Sequence, residues 1–142
     1  MFILLSFLSL FLSGSSDRPS PKKANLKVDV QNVRAPKGAV YVALFHSENS
    51  FPQGKPMEGR KLNIDGKSVQ TTFSVEPGDY AIAVYHDENG NGKMDKRMFG
   101  IPKEPYGFSN NFRPTMSAPK FVDCKFTVSD GSKTVSIKLD SF

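Results

Sequence analysis

Tyr80-Ala-Ile-Ala-Val-Tyr85-His86-Asp87-Glu88-Asn89-Gly90-Asn91-Gly92-Lys93-Met94-Asp95 joins two kinds of sequence in one stretch. Its first half is apolar, β-branched and aromatic, the composition of a strand covered on both faces. Its second half packs acids, amides and glycines together, the composition of a loop that turns sharply and offers oxygen ligands to a cation. The strand half places the chain among all-β proteins, and the loop half gives it a candidate site.

Working outward, the chain repeats the strand signal. Residues 26–31 alternate apolar and polar with period two, as a half-buried strand does. Residues 39–45 form a continuous apolar run rich in β-branched and aromatic types, which predicts a second central strand. A short strand through Leu62 and Ile64, a turn at Asp65-Gly66 and an alternating strand over 69–75 follow. Residues 121–128 and 134–139 alternate again and are joined by Asp130-Gly131, which predicts a C-terminal hairpin. No window of eleven residues carries a helical period. About seven short strands with turns between them read as an antiparallel β-sandwich, immunoglobulin-like or transthyretin-like in topology.

With 142 residues the chain is one domain by size, long enough to bury a single core. Residues 2–12 are an uninterrupted run of Phe, Ile, Leu and Ser, shorter than a span of roughly 30 Å requires, with small residues after it. This predicts a signal peptide over 1–15, though no Lys or Arg precedes the run. Residues 16–23 read as a Pro-rich linker, and the domain runs from 24 to 142. The expectation is export, to the periplasm or beyond, with no transmembrane segment in the mature chain. Cys124 stands alone, so the fold has no internal disulfide. The net charge of +5 is scattered, with no basic block and no basic helical face, which argues against a nucleic-acid partner.

Asp87, Asn89, Asn91, Gly92 and Asp95 match the first nine positions of an EF-hand calcium loop. Side chains at alternate positions converge when such a loop curls, Gly92 permits the turn, and Lys93 offers its carbonyl. The twelfth position, normally a bidentate Glu, is Met98, so Glu104 or a neighbouring acid has to complete the shell. The flanks are strand and loop, not two helices. The ligand set predicts Ca²⁺, bound weakly, on the order of 10⁻⁴ to 10⁻³ M, as a brace and not a sensor. Asn-Gly-Asn-Gly also makes a plain turn.

The two histidines, His46 and His86, close similar segments: Val-Ala-Leu-Phe-His and Ile-Ala-Val-Tyr-His, both entering Glu-Asn loops. Were the two strands to run in the same direction, both histidines would lie at one end of the sandwich. Two imidazoles are an incomplete transition-metal set. Cys124, inside an alternating segment, reads as a packing thiol. Downstream, residues 99–114 carry prolines, glycines and Phe99, Tyr106, Phe108 and Phe112, which predicts an ordered loop pinned by its rings.

The motif through Asp87-Glu88-Asn89-Gly90-Asn91-Gly92, with Gly100-Ile101-Pro102-Lys103-Glu104 after it, resembles a bacterial family of small exported proteins catalogued as a domain of unknown function. The resemblance covers about residues 26–139. It implies a secreted or periplasmic β-sandwich with no established activity and brings no catalytic residues. The sequence thus yields three expectations. The first is a non-enzymatic exported module, cation-braced, with His86, Phe99, Tyr106, Phe108, Asn110 and Phe112 facing an envelope protein or a glycan. The second is a hydrolase using His86 with Asp87 or Glu104, which requires His86 in a concave pocket. The third is a purely structural domain.

Overall fold

The computed structural model describes residues 17–20, 22–47, 49–92 and 104–140. Among the described residues there are eight strands: β1 (Ala24–Gln31), β2 (Ala39–His46), β3 (Glu58–Asn63), β4 (Val69–Val75), β5 (Gly78–Asp87), β6 (Tyr106–Phe108), β7 (Phe126–Val128) and β8 (Ser132–Lys138). One sheet has the order β4-β1-β8, the other β3-β2-β5-β6, with β7 also paired to β5. The arrangement is all-β and sandwich-like.

The alternation of β1 buries Ala24, Leu26, Val28 and Val30 and exposes Asn25 and Lys27. These side chains meet Val40, Val42 and Leu44 of β2 and Ile82 and Val84 of β5 in the main core, with Phe73, Ile137 and Leu139. As their continuous apolar runs predict, β2 and β5 lie side by side in the middle of their sheet. Their outer faces are covered as well. A second cluster of Ala81, Tyr106, Phe108 and Cys124 forms there, with Phe51, Phe112 and Phe121 against it.

Strands β6 and β7 share one edge of β5: Tyr106–Phe108 pairs with Ala83–Tyr85, and Phe126–Val128 with Gly78–Tyr80. Between them the Ile82 N–H would lack a strand partner. Ser109 fills the gap: its Oγ accepts from Ile82 N at 2.9 Å and donates to the Cys124 carbonyl at 2.6 Å. A bridge between Tyr106 and Asp140 joins the two sheets along this side.

Three expectations are corrected. The C-terminal hairpin does not form: β7 pairs with β5, while β8 crosses to the other sheet and lies parallel to β1. The Asp130-Gly131 turn therefore changes sheets instead of reversing within one, and the sandwich is not antiparallel throughout. Residues 121–128 are not one strand, because Phe121–Cys124 makes a single helical turn, α1, before β7. The Asp123 carboxylate accepts the Lys120 N–H at 2.8 Å and closes that turn. Lastly, β2 and β5 are antiparallel, with Val40 opposite His86 and His46 opposite Tyr80, so the two histidines lie at opposite ends.

Candidate functional site

The C-terminal end of β5 delivers His86 and Asp87 to the same end of the molecule but to opposite faces of the sheet, because successive strand residues alternate. His86 points inward and is wholly buried. Its Nε2 lies 2.7 Å from the Lys37 carbonyl, so Nε2 carries the proton and donates. The other ring nitrogen, Nδ1, has no hydrogen-bond partner among the described residues and sits 3.9 Å from Glu88 Oε1. Glu88 in turn accepts from Arg34 Nε at 2.5 Å, and this bond is the main reason its carboxyl is held below the usual carboxylate range.

The Asp87 side chain turns to the loop. It is 1% exposed. Its Oδ2 accepts the Gly92 N–H at 2.7 Å, which curls the loop back over the strand end. Its Oδ1 is buried without a hydrogen-bond partner among the described residues. A carboxylate oxygen left so costs the full desolvation of a charge unless a cation or proton meets it. Asn89 Oδ1 accepts the Asn91 N–H at 3.1 Å, which tightens the same turn. Glu104 arrives from the far side of the loop, buried at 5% exposure, and its Oε2 accepts the Glu88 N–H at 2.8 Å.

Tyr85 stands beside these acids. Its hydroxyl donates to the Gly92 carbonyl at 3.3 Å, and its ring stacks on Tyr41 with centroids 5.0 Å apart. Burial first, then the charges of Tyr41, Asp87 and Glu104, push its phenol up to about 12. The turn before β2 closes the site from behind. A Cβ on Gly38 would lie 1.8 Å from the Asp87 carbonyl oxygen, so only glycine admits this approach.

Asp87, Asn89, Asn91 and Glu104 are therefore gathered at one loop. Lys93, Asp95 and Phe99 lie outside the described residues. Among the described residues no three His, Cys, Asp or Glu side chains gather as a metal cluster. The oxygens described at the loop belong to carboxylates and amides, donors of the kind that suit Ca²⁺.

Of the rings expected to face a partner, those that are described pack against the sheet. Tyr106 and Phe108 are 6% and 8% exposed and belong to the second cluster, because β6 turns both rings onto the outer face of β5. Phe112 is half-buried against them. Asn110 is exposed, but its amide donates to the Lys125 carbonyl at 2.9 Å and its backbone is left-handed, so it serves a turn. His86 is part of the core; a cleft of about 410 Å³ opens at the other end of the strand, beside His46, Met57 and Tyr80. Cys124 is buried, and burial ahead of the nearby Asp123 charge pushes its thiol up to about 12, as befits a packing residue.

Sequence reasoning missed Arg34, Lys37, Gly38 and Tyr85 as parts of this site. Pro36-Lys37-Gly38 carried only a turn signal, and contact between that turn and the end of β5 depends on strand pairing that composition does not show.

A family model described as "Uncharacterized protein conserved in bacteria (DUF2141)" matches residues 28–136. No curated protein and no solved structure matches the chain.

Proposed function

The chain belongs to this bacterial family, whose description names no activity, and from its own residues we propose that it is a non-enzymatic, exported β module braced by Ca²⁺ at the end of β5. The observation that carries this reading is the Asp87 carboxylate, buried, turned to the loop by Gly92 N–H, and holding one oxygen without a hydrogen-bond partner among the described residues. Asn89, Asn91 and Glu104 stand around the same loop and offer further oxygen donors. An ion there offsets the cost of burying the charge and locks the loop onto the strand end. The ion has no catalytic task in this reading. His86, the residue a hydrolase would use, is wholly buried and donates to the Lys37 carbonyl.

Tb³⁺ luminescence excited through tyrosine tests the site. The phenol of Tyr85 lies in the field of Asp87 and Glu104, so an ion bound there has a sensitiser at hand. The reading predicts a saturable signal that CaCl₂ competes away and Asp87→Ala abolishes. A folded chain that gives no saturable signal refutes it.

A further inference from the structure

Asn89-Gly90 and Asn91-Gly92 place two amides before residues that have no side chain to shield the following nitrogen. Asn89, Gly90, Asn91 and Gly92 are all exposed. We propose that Asn89 is a self-modifying site, whose amide the Gly90 nitrogen attacks to give aspartate or isoaspartate, while Asn91 is protected. In the step, a bond forms between Gly90 N and Asn89 Cγ, and the Cγ–Nδ2 bond breaks. The Gly90 proton leaves with the amide nitrogen as ammonia. Water then opens the cyclic imide at either carbonyl, so one water is consumed and one ammonia released.

The two dipeptides differ in what holds them. Asn91 N–H donates to Asn89 Oδ1 at 3.1 Å, onto the oxygen that gains negative charge when Gly90 N adds to Cγ. Gly90 and Gly92 are alike in backbone, φ +70° and +74°, with nothing within 4 Å of where a Cβ would be, so the difference lies in the bond that the Gly92 nitrogen makes. Gly92 N, the nucleophile Asn91 would need, is instead bonded to the buried Asp87 carboxylate at 2.7 Å. Attack there must first give up a charge-assisted hydrogen bond. The remaining asparagines precede residues with side chains.

The consequence for the ion rests on the cation reading. Conversion at 89 adds a carboxylate beside Asp87 and Glu104, and a higher ligand charge tightens a calcium site. The loop would thus strengthen its own brace as the protein ages.

The whole chain, held folded at mildly alkaline pH with and without CaCl₂, is digested over time and its peptides resolved by mass spectrometry. Conversion at 89 is expected to run roughly tenfold faster than at 91, a ratio equivalent to about 1.4 kcal/mol of barrier. In concentrated urea the two sites convert alike, and in Asp87→Ala position 91 catches up. Equal or faster conversion at 91 in the folded wild type, or none at 89, overturns the proposal. That comparison needs no variant, so it stands even where Asp87→Ala does not fold. Calcium that slows conversion at 89 supports the brace; rates indifferent to calcium count against the brace alone and leave the order of conversion as evidence for the modification.

Discussion

Gly38 and Gly66 both have positive φ, +72° and +94°, yet they should respond to substitution very differently. Nothing lies within 4 Å of a Cβ at Gly66, so Gly66→Ala meets only the left-handed backbone penalty, about 1 kcal/mol. At Gly38 the same Cβ overlaps the Asp87 carbonyl, and Gly38→Ala should cost on the order of 3 kcal/mol or more. Urea unfolding of the two variants checks the contrast. Arg34 offers a second test at this scale. Its bond lowers the Glu88 carboxyl, so the pair's contribution is present above the unfolded carboxylate range and fades as pH falls through the lowered folded value. Arg34 is about half exposed, which limits the loss in Arg34→Ala to about 0.5 kcal/mol near neutrality. The difference from wild type should shrink as pH falls below the ordinary carboxylate range, seen in urea melts at neutral and at acidic pH. Around this strand end the sequence singled out Asp87, Asn89 and Asn91 as candidates, because their spacing is local. It did not disclose Gly38 or Arg34, because their contacts span fifty residues and need the β2–β5 pairing first.

Among the elements, the strands with clean alternation or continuous apolar runs, β1, β2, β4 and β5, were legible because side-chain period reports burial directly. The segment 121–128 misled for a physical reason. A one-turn helix of four residues is too short to show its own period, and its Val122 and Cys124 stand in phase with Phe126 and Val128 of the strand that follows. The partners of β8 were not legible either, since a Gly turn has the same composition whether it closes a hairpin or changes sheets. Ser109 shows how the short elements are held. It takes the place of a missing strand residue between β6 and β7, so Ser109→Ala leaves the buried Ile82 N–H and Cys124 carbonyl without that partner. The expected loss is about 1–3 kcal/mol, with faster hydrogen exchange at the Ile82 amide as the local signature.

Across the whole molecule, the main core runs between the sheets and the second cluster covers the outer face of β5, so β5 is packed on both sides. Phe73, wholly buried in the main core, should cost about 3–5 kcal/mol when cut to alanine. At one end of β5 the packing ends on the Asp87 carboxylate, one oxygen of which has no hydrogen-bond partner among the described residues. The cation reading turns that deficit into stability that depends on an ion. At ten times its Kd the ion would add about 1.4 kcal/mol, or about 5 °C in the melting midpoint of a domain this size. The most direct measurement is therefore a thermal melt of the whole chain in EDTA and in a few millimolar CaCl₂, beside the same pair for Asp87→Ala. A midpoint raised by several degrees in calcium, with no rise in the variant, is the predicted result. Wild-type melts that overlay with and without calcium would contradict the account and leave the loop a plain turn.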